Sequence, residues 1–275
     1  MQVGAANDTS AVVAALKNAA AATGSDFHYL LGTAMRESSL KANAQSATSS
    51  AAGLFQFVDQ TWLGLVKTHG AKYGLSSLAG AINVAPDGRY HAASDADRQT
   101  ILALKKDPQI SALMAGEYAR STQGAMEASL GRAVCGGELY AAHFLGADGA
   151  CKLIRASQSA PQADAAQIFP QAAGANRNVF FHADGTAKSV REVYDWAMQQ
   201  PGGIAPIQHT APAEASASSA TARTVAARAV DANIQTLLAG VMNWQPKDFF
   251  GTEGASPLSF GSGLLDLFSS ARNGR

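Results

Sequence analysis

Apolar residues in this chain return every three or four positions between residues that cap helices, a spacing that suits helices and little else. Asp8 or Ser10 opens a helix over 8–23 with Val12, Val13, Leu16, Ala19 and Ala20 inward and Gly24 at its end. Ser25 and Asp26 open a second, with Phe27, Leu30, Leu31 and Ala34 inward. Asp59 caps a third, which buries Trp62, Leu65 and Val66 and runs to His69, with Gly70 as its stop. Ser94 opens a fourth, with Asp95 and Asp97 in its first turn and Ile101, Leu102 and Leu104 inward. Asp107-Pro108 starts another, carrying Ile110, Leu113, Met114 and Tyr118 at core spacing. Residues 147–158 form a short helix. Ser189 and Glu192 make a capping box for a last one, with Val190, Val193, Tyr194 and Ala197 inward and Pro201 beyond it.

The expected fold class is therefore all-α. Between the helices, 41–57 are rich in Ser, Ala and Gly and read as irregular, with room for a small β-hairpin. Residues 70–93, with Gly74, Gly80 and Pro86-Asp87-Gly88, read as a long loop that either walls a cleft or is a mobile surface loop. Val179-Phe180-Phe181 before Asp184-Gly185 reads as a short extended piece and a turn.

At 275 residues the chain holds one good core and an appendage. The domain is expected over 1–200, a Pro/Ala/Ser-rich linker over 201–222, and an amphipathic helix with a tail over 223–275. Val230, Ile234, Leu237, Leu238 and Val241 give that helix its apolar face. A single helix cannot bury its face alone, so it docks on the domain, binds a protein partner or lies on a membrane surface. Lys plus Arg number 21 and Asp plus Glu 21, which gives no basic field for nucleic acid. No run is long enough for a transmembrane segment. The opening MQVGAANDTS lacks a cationic segment before an apolar run, so no signal peptide is expected in this chain. Cys135 and Cys151 form either a disulfide closing a short loop or two half-buried thiols. Neither has the neighbours of a metal site, and no metal or cofactor is expected.

Glu37 breaks the pattern of its helix. It follows Leu30 by seven residues, so at 3.6 residues per turn it points almost the same way. A carboxyl group thus sits on the apolar face, in the last turn. Desolvation favours its neutral form, and so does the negative end of the helix dipole. That is how a carboxylic acid stays protonated near neutral pH and can donate its proton.

Glu37-Ser38 is followed by Gly53-Leu54-Phe55-Gln56 and by Thr61-Trp62, and later by the segment Glu138 to Gly146, ELYAAHFLG. In this order and separation the motifs resemble those of the soluble lytic transglycosylases, enzymes with a goose-lysozyme-like fold that cleave peptidoglycan glycan strands. The family has Glu-Ser at a helix end, then Gly-Leu-Met-Gln, then Ala-Tyr-Asn-Ala-Gly. Here Phe55 replaces the Met. In the third motif Ala142 and Gly146 match, while His143 and Phe144 stand in place of Tyr and Asn.

The resemblance implies a lysozyme-like domain in the periplasm or cell envelope that acts on glycan strands without a cofactor. It implies that Glu37 protonates the bond between N-acetylmuramic acid and N-acetylglucosamine, then takes the proton of the muramoyl 6-hydroxyl as that group attacks C1. The product is a 1,6-anhydro sugar. Ser46 would contact the substrate acetamido group, although a small insertion separates it from Gly53. Gln56 would bond the glycan near the cut, and Gly53 would allow close backbone approach. Ser38 would satisfy helix-end groups or touch substrate. His143, or Tyr140 one turn earlier, would bond near the acid, unless His143 and Phe144 are ordinary core residues of a packed helix. Glu117, beside Tyr118, either lines the sugar site or is a hydrogen-bonded structural residue. Two rivals stand beside this reading. One is a hydrolytic muramidase, for which Asp59, Asp87 or Glu117 would be the second carboxylate. The other is a peptidoglycan-binding scaffold that keeps the fold without the activity.

Overall fold

Five of the described helices begin where a side chain takes up one of the first free backbone amides. A computed structural model of the chain describes residues 3–200 and Gly203, with side chains from Thr9 onward. Apart from Gly203, the expected linker and amphipathic helix lie outside the described residues.

Helix α1 (Val3–Thr23) begins upstream of Asp8 and Ser10, so neither residue is its cap. It buries Val12, Leu16, Ala19 and Ala20, leaves Val13 half-buried, and ends at Gly24, whose φ is +73°. In α2 (Phe27–Ser38) the Asp26 carboxylate accepts from the Tyr29 amide at 2.8 Å.

Helix α3 (Asp59–His69) differs from the expectation at both ends. Asp59 is its first residue and makes no capping bond. Its carboxylate instead accepts from Lys105 Nζ at 2.6 Å and from Arg98. Gly70 does not stop the chain; with φ of −58° it continues into a 3-10 turn, Gly70–Tyr73, that closes at Gly74 with φ of +79°. The long loop expected over 70–93 is also ordered. It holds α4 (Ser76–Gly80) and an antiparallel hairpin of β1 (Ile82–Val84) and β2 (Tyr90–Ala92), with Ile82 opposite Ala92. The hairpin expected over 41–57 is reduced to isolated bridges from Ala52 to Gln45 and to Phe57.

The Ser94 hydroxyl caps α5 (Asp95–Ala103), which leads through a 3-10 turn, Leu104–Lys106, to α6 (Pro108–Leu130). Asp107 caps α6 by accepting from the Ile110 amide at 2.8 Å, with Pro108 in the first turn as anticipated. Helix α7 (Gly136–Ser159) is broken at Gly146, whose φ of 70° and ψ of 170° suit glycine and almost nothing else.

Three short helices follow: α8 (Ala165–Ile168), α9 (Pro170–Ala175) and α10 (Arg177–Phe180). Val179 and Phe180 are therefore helical, not extended, and only Phe181 pairs across the Asp184-Gly185 turn, with Ala187. The Ser189–Glu192 capping box is present and opens α11 (Val190–Met198).

The described chain is mostly helical. Helix α1 lies against α6, α6 against α7, and α7 against α11, while α2 touches both α1 and α6. None of the described helices is long and apolar enough to cross a membrane.

Cys135 and Cys151 are free thiols, so the disulfide reading is corrected. Cys135 precedes α7, and Cys151 lies four turns into it. A rise of about 1.5 Å per residue carries the two far beyond the span of a disulfide. Cys135 Sγ instead lies 3.6 Å from Met198 Sδ, and Cys151 Sγ lies 3.9 Å from the Met126 carbonyl.

Candidate active site

Glu37 sits one residue from the end of α2, on the face that also buries Leu30, Leu31 and Ala34. It is only 6 % exposed. Burial is the largest influence on its carboxyl and pushes its pKa up to about 8; the Arg36 charge and a hydrogen bond from Tyr140 pull the other way. The group is thus mostly protonated at neutral pH and close enough to balance to lose its proton.

That hydrogen bond comes from the third sequence motif. The Tyr140 hydroxyl donates to Glu37 Oε1 at 3.2 Å across 103 residues of chain. Of the two residues offered for this role, Tyr140 takes it. His143, one turn further along α7, stacks on the Tyr140 ring with centroids 4.7 Å apart and planes 21° from parallel. Its Nε2 lies 2.8 Å from the Tyr29 hydroxyl, and Tyr118 meets the ring edge-on. Burial first, and Arg36 second, drive the pKa of His143 down to about 3. A neutral imidazole therefore bridges Tyr29 and Tyr140 and fixes the ring that carries the hydroxyl to Glu37.

Ser38 donates to the Ala34 carbonyl at 3.0 Å, which matches its helix-end reading. Gln56 is 2 % exposed and left-handed, with φ of 49°, a conformation that costs a residue with a side chain about 1 kcal/mol or more. Its Nε2 donates to the Gly53 carbonyl at 2.8 Å. The need for glycine at 53 is internal. With φ of +80°, a Cβ there would lie 1.9 Å from the Lys105 carbonyl oxygen. Ser46 is half-buried, and its Oγ accepts from the amides of Thr48 and Ser49 at 3.3 and 3.2 Å.

Glu117 has partners of its own. It accepts from Lys72 at 2.6 Å and from the Tyr73 hydroxyl, and His69 Nδ1 lies 3.6 Å away. Burial alone would raise its pKa, but the bonds to Lys72 and Tyr73 and the nearby His69 outweigh that and hold it below the usual range. It ties α6 to the 3-10 turn after α3.

Three residues of the site were not singled out from the sequence. Tyr29 stands two turns before Glu37, on the same helix face, and that spacing was available to find it. Arg36 and Trp196 left no such signal. The Arg36 guanidinium carbon lies 5.2 Å from the Tyr140 ring centroid and 5.6 Å from that of Trp196, a contact between α2, α7 and α11.

Among the described residues no group of three or more His, Cys, Asp or Glu is placed to hold a metal ion. No protein-family model matches the chain.

Proposed function

We propose that this chain is a lytic transglycosylase with a lysozyme-like helical domain, working in the periplasm or cell envelope on peptidoglycan strands. The observation that carries the reading is the buried Glu37 with the Tyr140 hydroxyl on its Oε1. Glu37 protonates the β-1,4 oxygen between N-acetylmuramic acid and N-acetylglucosamine as that bond breaks, assisted by the 2-acetamido group. It is then a carboxylate, which the Tyr140 bond stabilises. It takes the proton from the muramoyl 6-hydroxyl, which attacks C1 and closes the 1,6-anhydro ring. No water is consumed.

A hydrolase would need a second carboxylate. The three that the sequence offers have other work. Asp59 is held by Lys105 and Arg98, Glu117 by Lys72 and Tyr73, and Asp87 accepts from the Arg89 amide in the hairpin turn at 3.0 Å. One group that serves as acid and then base fits the chemistry better.

The test is digestion of purified peptidoglycan by the full chain and by its Glu37→Gln variant. Solubilisation by the parent, with a loss of at least about a thousandfold in the variant, is expected. Equal activity in the two contradicts the assignment. No activity in either favours the glycan-binding scaffold.

A further inference from the structure

Arg36 lies beside the acid, and its charge has no carboxylate partner among the described residues. Other arginines of the molecule do. Arg132 grips both oxygens of Glu138 at 2.9 and 2.6 Å, and Arg98 reaches Asp59. Arg36 is half-buried, held over the faces of Tyr140 and Trp196. Aromatic faces stabilise a guanidinium without using up its N–H donors, which lie in its plane. Tyr140 engages the guanidinium as well, yet a five-donor fork retains capacity for a two-pronged contact. A cation partly withdrawn from water and placed over two rings in this way is matched to an incoming anion, and its planar fork suits a carboxylate best.

We infer that Arg36 recognises a carboxylate carried by the sugar beside the bond being cut, so that the site takes acidic glycans in preference to neutral ones. The inference rests on the transglycosylase reading above. A muramoyl residue carries such a group in its lactyl ether. In peptide-free strands that carboxylate is free. Where a stem peptide is attached it becomes an amide, and the available carboxylates move out onto the peptide. Pairing with either source would also quench the charge that draws the Glu37 carboxyl down, leaving the acid more fully protonated once such a substrate is bound.

The experiment compares kcat/KM of the full chain on three glycans: peptide-free strands, the same strands with lactyl carboxylates converted to methylamides, and strands that keep their stem peptides. Each is run with the parent, Arg36→Gln and Arg36→Lys. The parent is expected to favour peptide-free over methylamide strands by about tenfold, chiefly through KM. Arg36→Gln should bring that ratio close to one, and Arg36→Lys should recover part of it. A change that the substitution makes to Glu37 ionisation in the free chain acts on every substrate alike and cancels in the ratio, and so does a fall in the folded fraction.

If the parent instead prefers peptide-bearing over methylamide strands, and Arg36→Gln removes that preference, the recognised carboxylate is on the stem. Equal rates of the parent on all three glycans, or a preference that survives in Arg36→Gln, overturn the inference and leave the transglycosylase reading intact. No cleavage of any strand by the parent overturns both.

Discussion

A carboxyl group on an apolar helix face stores a conflict that pH can expose. The pKa of Glu37 in the folded chain, about 8, lies above its ordinary 4.5. Below the ordinary value both states are protonated, and the neutral acid is accommodated. As pH rises toward 8 the unfolded chain gives up its proton and the folded chain does not, so stability falls through that window and levels off above it. Glu37→Gln removes the conflict. Its thermal midpoint should match the parent near pH 4 and exceed it increasingly up to pH 8, a gain on the order of a few kcal/mol. A difference between the two that does not vary with pH would contradict the buried acid.

Tyr140 acts on the same balance from the other side, because its bond favours the carboxylate. On the proposed mechanism, Tyr140→Phe should move the alkaline limb of the pH–rate profile upward and lower the maximal rate about tenfold or more, since the proposed second step needs the carboxylate. An unmoved limb would mean that the hydroxyl does not reach Glu37 during the proposed reaction.

At the level of elements, the strongest tie around the second motif is ionic. Lys105 is 2 % exposed and donates to Asp59 at 2.6 Å and to the Ser50 carbonyl at 2.9 Å. It thereby joins the 3-10 turn after α5 to the start of α3 and to the strand of chain that leads into Gly53. Lys105→Met leaves a carboxylate and a carbonyl without this donor. Urea unfolding should show a loss of about 3 kcal/mol, and a loss under about 1 kcal/mol would mean that the tie is ornamental.

This part of the molecule also marks where the sequence could be followed and where it could not. Asp26, Ser94, Asp107 and Ser189 were legible as caps because capping is local and needs only a few residues. Asp59 has the same local signature, but cations 39 and 46 residues away claim its carboxylate. The hairpin of β1 and β2 was missed because three-residue strands are too short to show alternation.

Across the whole molecule, the periodicity was enough for a mostly helical fold, and Glu37 was legible as a buried acid. Its surroundings were legible only in part: Tyr29 and Arg36 share its helix, but Tyr140, His143 and Trp196 come from distant parts of the chain, and local pattern does not show that they meet it. The third motif narrowed the hydrogen-bond partner of Glu37 to Tyr140 or His143, and contacts across the chain decide between them: the Tyr140 hydroxyl reaches Glu37, while His143 Nε2 meets the Tyr29 hydroxyl. Trp196 enters from α11, beyond every motif, so nothing near it in sequence marked it. The last described residue is tied in as well: the Gly137 amide at the start of α7 donates to the Gly203 carbonyl at 2.8 Å. These parts converge on one chemical proposal, a lone acid that cuts a sugar chain and seals the cut end on itself. The most direct test is the mass of the sugar ends released when the purified chain digests peptidoglycan. The account predicts 1,6-anhydromuramoyl ends, lighter by one water than the hydrolytic product; reducing muramoyl ends would contradict it.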